Sequence, residues 1–449
     1  MRDPRKPDRA LLLIALVLAV LSAAIPAVGQ ASDPPIVFVH GNGDTAALWH
    51  TTIWRFESNG YPRDRLFAID LRFPSARTVD AKPQEGRTSA DEARAQLAAF
   101  VDEVLAMTRA SKVALVGNSR GANTIRNYVR FGGGAAKTSH VVLGGGVNHG
   151  VIVSDSHLVG SEFNGAGEVM KRLNDGDEVV AGVAFMTIRS DSNDKYAQPT
   201  GRFIGLPDVA TGLGYDASAL KGATNVVLPG ADHREVSYGP RAFTETYRFI
   251  TGRAPGRTEI TSEAQPILNG RVTGVTAGVY DNRPVAGATV EIYAVDPRTG
   301  TRSEEPAHRK VTGPDGVWGP FRAAPTATYE FVVAVSGQPT THIYRSPFPR
   351  GSEVIHLRPA MLLKEDAGAA ALVLMTRPRG YFGHGRDVFT LDGAVPGGIS
   401  EGVPAASLAR VRVPDVTPRS VTARFNDETI VMRTWPMAEG HVSIAEFHY

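Results

Sequence analysis

Val113-Ala-Leu-Val-Gly-Asn-Ser-Arg-Gly121 reads as a strand running into a sharp turn. Val113 to Val116 form a short apolar, β-branched run, the pattern of a strand buried on both faces. Gly117-Asn-Ser-Arg-Gly121 follows as a G-x-S-x-G pentapeptide. From about Ala122 to Phe131 a helix is predicted, with Ala122, Ile125, Tyr128 and Val129 on one face. Gly132-Gly-Gly134 ends it, because glycine takes a left-handed cap without a Cβ penalty. The pentapeptide alone also arises by chance in a glycine-rich chain. Strand, turn and helix in this order make it a nucleophile elbow. Glycine at 117 and 121 lets strand and helix pass closely, so the Ser119 hydroxyl stands above the sheet. The helix N-terminus beneath it favours developing negative charge.

The same rhythm extends in both directions. Ile36 to Val39 and Leu66 to Ile69 are predicted strands, with a helix carrying Trp49, Ile53, Trp54 and Phe56 between them. Ser89-Ala-Asp-Glu92 is a capping box opening a helix whose apolar face holds Leu97, Phe100, Val101, Val104 and Leu105. Further strands are predicted at His140 to Leu143, Val183 to Ile188 and Asn225 to Leu228, and a closing helix passes through Phe243, Tyr247 and Ile250. Alternating strands and helices imply an α/β fold with a parallel sheet covered on both faces. Its reactive loops then lie at the carboxyl ends of the strands. Residues 150–180 and 197–222 exceed the usual short connections and read as lid, substrate wall or surface decoration.

The character changes near residue 252. Residues 253–267 are polar and contain Pro255, the composition of a linker. Beyond them the period becomes two, as in Ala288-Thr-Val-Glu-Ile-Tyr293 and Tyr329-Glu-Phe-Val-Val-Ala-Val335. The expected organisation is a signal segment (1–31), a catalytic α/β domain (32–252), the linker, a β-sandwich (268–360) and a second β domain (361–449).

The first 31 residues pair a basic start with the apolar run Ala10 to Ile25 and end in Gly29-Gln-Ala31, as a cleavable secretory signal does. The run is 16 residues long, short of the roughly 20 needed to span a membrane, and Pro26 follows it. A secreted or periplasmic location is expected rather than a stable transmembrane anchor. There is no cysteine, which excludes disulfides, thiolate metal sites and a cysteine nucleophile. A net charge of +2, with the whole excess of bases in the leader, argues against a nucleic-acid partner.

A serine hydroxyl needs a base, and the base a carboxylate to orient it. In this fold the chain order is serine, acid, histidine. His233 in Pro229-Gly-Ala-Asp-His233 is the one among 12 histidines placed just beyond the last strand. The acid is expected after the Val183 strand, in Ser190-Asp-Ser-Asn-Asp194. Asp194 is preferred because Tyr196 two residues on offers an apolar anchor; Asp191 is the rival, and the loser caps the loop. Asp232 and Glu235 lie too near His233 in sequence to orient it. The oxyanion donors are expected to be the backbone N–H groups of Arg120 and Asn42, with Gly41 and Gly43 letting the second loop bend inward. His40-Gly-Asn-Gly43 lacks the downstream residues of a phosphate-binding loop. His308, His342, His356 and His384 show no ligand spacing, so neither metal nor cofactor is expected.

Residues 35–250 resemble the secreted α/β-hydrolase lipases and esterases. Phe38-Val-His-Gly-Asn-Gly43 is similar to their H-G-x-G oxyanion loop, and Gly117-Asn-Ser-Arg-Gly121 to their elbow, which more often carries histidine where this chain has Asn118. Leu143-Gly-Gly-Gly-Val-Asn-His-Gly150 resembles the L-G-x-P-x-H-G strand end without its proline. The order of a hydrolase followed by β-domains resembles archaeal long-chain lipases whose C-terminal β-domain assists lipid substrates. Residues 271–335 are similar to transthyretin-like sandwiches. Calcium occurs in some related lipases, and no ligands for it stand out here. The resemblance implies an α/β-hydrolase fold and a serine carboxylic-ester hydrolase. The expected substrate is a medium- or long-chain lipid ester, with Phe163, Phe203, Ile204, Leu206 and Leu213 as candidate acyl-site residues. The alternatives are a short-chain esterase, an extracellular polyester depolymerase whose β-domains bind the substrate or surface, and a binding or adhesion protein.

Overall fold

The computed structural model describes residues 33–415 and 417–449. The expected signal segment lies outside these residues. The first part of the chain runs β1 (Ile36–Val39), α1 (His50–Ser58), β2 (Leu66–Ile69), α2 (Ala90–Thr108), β3 (Val113–Asn118), α3 (Arg120–Phe131), β4 (Thr138–Gly144), α4 (Glu168–Asn174), β5 (Ala184–Ser190), β6 (Thr200–Gly201), β7 (Leu206–Ala210), β8 (Thr224–Leu228), α5 (Glu235–Tyr238) and α6 (Pro240–Thr251). The main sheet has the order β2-β1-β3-β4-β5-β8, and every neighbouring pair is parallel. β3 therefore lies inside the sheet, and Ser119 follows its last residue.

Side chains alternate across a strand, and this sheet uses both faces. Ile36, Phe38, Ala114 and Val116 pack with Trp49, Phe56, Phe243 and Tyr247 against α1 and α6. Val37, Val39, Val113 and Leu115 pack with Leu97, Val101, Ile125 and Tyr128 against α2 and α3. β1 and β3 read as continuous apolar runs because neither face meets water. The capping box forms as expected: Glu92 N–H donates to Ser89 Oγ at 3.1 Å, and Ser89 N–H to Glu92 Oε2 at 2.9 Å. The architecture is an α/β-hydrolase fold followed by an all-β region.

The β region holds a seven-stranded sheet. Its spatial order is His308–Val311, Thr289–Val295, Thr328–Ala334, Thr340–Arg345, His441–Glu446, Ala371–Thr376 and Leu408–Val413. The last strand of the chain is inserted between Thr340–Arg345 and Ala371–Thr376, parallel to both. One sheet thus runs across the expected boundary at residue 360, while two apolar cores sit on it. One gathers Leu268, Val290, Trp318, Phe331 and Phe348; the other gathers Val373, Met375, Phe382, Phe425 and Phe447.

The β region is packed onto the hydrolase. Trp54 of α1 is fully buried within the first of those cores, and its indole N–H donates to the Gly351 carbonyl at 2.8 Å. The 253–267 segment is pinned to the same helix. Arg55 Nε donates to Thr258 O at 3.1 Å, Asn59 Nδ2 to Arg257 O at 2.9 Å, and Thr261 N–H to Ser58 Oγ at 3.0 Å. His448, two places from one of the sheet strands, meets His50 at 3.2 Å between ring nitrogens. Among the described residues, no helix is long and apolar enough to cross a membrane.

Candidate active site

Ser119 has φ 54° and ψ −121°, a backbone region that a residue with a Cβ enters only at a cost. The elbow holds it there by close packing. A Cβ on Gly121 would lie 2.4 Å from the Val39 carbonyl oxygen, and one on Gly117 would lie 2.6 Å from Ile125 Cδ1. Only glycine at these positions lets α3 approach β1 and β3 this far. Helix α3 begins at Arg120, two residues before the expected start, so the Arg120 N–H belongs to the first turn, whose donors have no intrahelical acceptor.

The His233 loop follows β8. His233 is 2% exposed, and its Nδ1 lies 2.9 Å from the Asp194 carboxylate. Asp194 comes just after β5, is itself buried, and also accepts the Tyr196 N–H at 2.8 Å. The Tyr196 ring packs edge-on against His233 with centroids 4.6 Å apart. Asp191 does something else: it accepts the Gly230 N–H at 3.2 Å and the Ser192 N–H at 2.6 Å, capping the two loops beside the histidine. With Nδ1 on the carboxylate, Nε2 is the free imidazole nitrogen, and it is buried without a hydrogen-bond partner among the described residues.

Ser119 and His233 line one cavity of about 280 Å³. Asn42 lines it too, and its side-chain oxygen accepts the Ala76 N–H at 2.7 Å, which fixes the turn. A Cβ on Gly41 would stand 3.2 Å from Ser119 Cβ, so glycine there lets this turn reach the serine. Phe163, Phe203 and Ile204 of the two insertions line the cavity. Leu206 sits behind them in an apolar cluster with Val147, Val151 and Tyr196, whereas Leu213 is absent from both sets.

Several side chains around this cavity make contacts that no motif in the sequence indicates. Asn118, between strand and serine, donates to Gly144 O at 3.2 Å, His233 O at 3.2 Å and Ser237 Oγ at 2.9 Å, tying the elbow to the histidine loop. The Arg120 side chain is buried with Glu162: Nε meets Oε1 at 2.6 Å and Nη2 meets Oε2 at 2.8 Å. It also donates to Pro74 O at 2.8 Å and Thr88 O at 2.9 Å, so one guanidinium anchors the first insertion and the 74–88 loop to the elbow. Arg234 and Tyr381 complete the cavity wall. Arg234 was findable as the neighbour of His233; Tyr381, from the β region, had no local signal.

The β region grips both loops that flank Ser119. Asn282 donates its amide to Asp44 O at 3.0 Å and Leu71 O at 2.9 Å, and approaches His40 Nε2 at 3.3 Å. Nε2 of His40 also accepts the Leu71 N–H at 3.1 Å, which makes Nδ1 the protonated nitrogen donating to Gly41 O at 2.9 Å. Burial lowers the His40 pKa and keeps the ring neutral. Arg358 donates to Gly43 O at 3.1 Å. Burial alone would raise the Asp70 carboxyl, but His356 at 2.7 Å holds it well below the usual carboxylate range, and Asp70 in turn accepts the Ala46 N–H at 2.8 Å. On the other side, fully buried Asp232 accepts from Arg377 Nη1 at 3.2 Å, Arg386 Nη2 at 3.3 Å and Tyr381 N–H at 2.7 Å. Glu235 pairs with Arg386 Nη1 at 3.0 Å. Among the described residues, no group of three or more histidine, aspartate or glutamate side chains could hold a metal ion.

The fold is that of the α/β-hydrolases, and the matches to known families agree with it. Residues 33–165 match the family described as Lipase (class 2), and residues 265–362 match the Lipase C-terminal domain. The chain is an ester hydrolase whose first part is similar to class 2 lipases and whose second part is similar to the lipase C-terminal domain. Among solved structures it is similar to the mature form of the Bacillus licheniformis lipase BlEst2, at 19% identity over 49% of this chain and 93% of that one, with a TM-score of 0.38. The propeptide form of the same lipase is 14% identical over 90% of this chain and 93% of that one, with a TM-score of 0.38. Aspergillus fumigatus lipase B is 17% identical over 51% of this chain and 55% of that one, with a TM-score of 0.36.

Proposed function

We propose that this chain hydrolyses lipid esters of medium or long acyl chain through an acyl-enzyme on Ser119. His233 Nε2 takes the Ser119 proton as Oγ attacks the ester carbonyl. The Asp194 carboxylate on Nδ1 orients the ring and stabilises the imidazolium that forms. The Asn42 and Arg120 N–H groups hold the tetrahedral oxyanion. Collapse of that intermediate breaks the bond to the alcohol oxygen, which leaves with the proton returned from His233. Water, deprotonated by His233, then attacks the acyl carbonyl and releases the carboxylic acid and free Ser119. The observation that carries this reading is the 2.9 Å contact of His233 Nδ1 with Asp194, with a bare Nε2 beside the cavity that Ser119 lines. The apolar wall of Val147, Val151, Phe163, Phe203 and Ile204 supports an acyl chain as ligand.

We further infer export: residues 1–31 have the composition of a cleaved signal, and N-terminal sequencing of protein recovered outside the cytoplasm tests it. The catalytic reading is tested with a fluorophosphonate probe on wild type and Ser119→Ala. A p-nitrophenyl ester series from short to long chains is recorded on the same samples. Labelling and turnover confined to wild type, with the optimum at eight carbons or more, are expected. Equal labelling of both proteins, or of neither, sinks the Ser119 assignment. An optimum at acetate makes the protein a short-chain esterase, and turnover of polyester film in preference to every soluble ester makes it a depolymerase.

A further inference from the structure

We propose that Tyr381, supplied by the C-terminal β region, is a specificity-determining residue of the ester cavity that selects alcohols bearing a free hydroxyl. The inference rests on the Ser119–His233 reading and extends it to the leaving group.

The cavity has two unlike walls. Val147, Val151, Phe163 and Ile204 form one apolar cluster with Tyr196. The other wall is polar and comprises Asn42, Asp44, Arg234 and Tyr381. Arg234 Nη2 pairs with Asp44 Oδ1 at 2.7 Å, and its guanidinium carbon lies 5.4 Å from the centre of the Tyr381 ring. Lys195 Nζ lies 4.6 Å from the same ring. Two cations on one aromatic ring hold it by cation–π attraction.

Tyr381 shares a frame with the histidine. Its N–H donates to Asp232, the residue before His233, at 2.7 Å. Its carbonyl accepts Arg377 Nη1 and Arg386 Nη2, both at 2.7 Å. Arg234, the residue after His233, contacts its ring. The leaving alcohol must depart where His233 returns the proton, so the polar wall is where the alcohol sits and the apolar wall is left for the acyl chain. An alkyl alcohol there would cover the Asp44–Arg234 pair and the tyrosine hydroxyl without replacing their water, whereas a polyol such as glycerol supplies a partner. Burial first, with Tyr196 and Asp44 adding, lifts the Tyr381 pKa well above its ordinary value despite Arg234, so the hydroxyl stays protonated as a neutral donor and acceptor.

The test uses the full-length chain as wild type, Tyr381→Phe and Tyr381→Leu. The kcat/KM ratio of glycerol monooctanoate to propyl octanoate reads the alcohol. The ratio of propyl octanoate to propyl butyrate reads the acyl chain. Fluorophosphonate labelling of each protein reports the folded site. Tyr381→Phe is expected to lower the alcohol ratio about fivefold and Tyr381→Leu at least as much, with the acyl ratio steady. An alcohol ratio within about twofold of wild type in a labelled Tyr381→Phe protein overturns the proposal while Ser119 stands. So does a change confined to the acyl ratio. A wild type that neither labels nor turns over removes the triad reading and this proposal together. If Tyr381→Leu fails to fold, Tyr381→Phe, which keeps the ring and its cations, carries the test alone.

Discussion

Arg377 Nη1 lies 3.2 Å from Asp232 Oδ2, joining a residue of the β region to the residue that precedes His233. The carboxylate is fully buried and the arginine nearly so, so this pair holds the histidine loop from behind. Tyr381 N–H and Arg386 share the same carboxylate, which keeps the charge compensated.

Arg377→Ala should therefore act on two levels. Removing one partner of a buried carboxylate costs about 3–5 kcal/mol when nothing else compensates; with Arg386 still present roughly 2–3 kcal/mol is expected, read from urea unfolding. In the surviving folded protein kcat should fall about tenfold or more, because the loop that carries His233 loses its support. Stability loss with an unaltered kcat would show that His233 is held without this pair.

Arg120 makes a second case. Its backbone N–H is a proposed oxyanion donor, but its side chain is a buried anchor for Glu162. Arg120→Met keeps the N–H and strands the glutamate, at an expected cost of about 3–5 kcal/mol. The double variant Arg120→Met, Glu162→Gln should recover a large part of that loss. A double variant as unstable as the single one would mean that the contacts to Pro74 and Thr88, not the ion pair, dominate.

Ser119→Gly should be more stable than Ser119→Ala by about 1–2 kcal/mol, since glycine enters the φ 54° conformation without the Cβ penalty that alanine retains. Both should be inactive. Equal unfolding midpoints in the two variants would show that the elbow stores no strain of this kind.

His50 and His448 are both held far below their ordinary pKa, first by burial and then by the Arg379 charge. The native state keeps them neutral while the unfolded chain binds protons near pH 6.5. Their contribution is therefore fully present above about pH 6.5 and is lost as pH falls, up to about 2 kcal/mol per histidine at pH 5. Stability against urea should decline over that interval, and less steeply in His448→Gln. Identical slopes would place the acid-sensitive groups elsewhere.

The hydrolase fold was legible because a parallel sheet buried on both faces leaves unbroken apolar runs, as in Ile36–Val39 and Val113–Val116. Ser119 was legible because it ends such a run, and His233 because it lies in the loop after the last strand of the sheet. Asp194 and Asp191 were not separable by position, since both follow β5 within four residues. Their difference is a matter of direction: Tyr196 packs on His233 and fixes Asp194 beneath it, while Asp191 turns to Gly230. The grip of the β region was invisible because its partners are far apart in sequence, as Asn282 and Asp44 are. That one sheet crosses residue 360 was invisible for the same reason. Strand His441–Glu446 returns from the end of the chain to lie between segments on either side of that position.

The indole of Trp54 has a further consequence. Because α1 places it inside the core of the β region, the two halves of the molecule hide a surface that neither can leave wet. Cleaving the polypeptide between residues 253 and 267 should leave both fragments co-eluting and still reactive toward the probe. The covalent thread through this segment should be dispensable, because Trp54 sealed in the β-region core, together with the Asn282, Arg358 and Arg377 contacts, holds the two halves as one body.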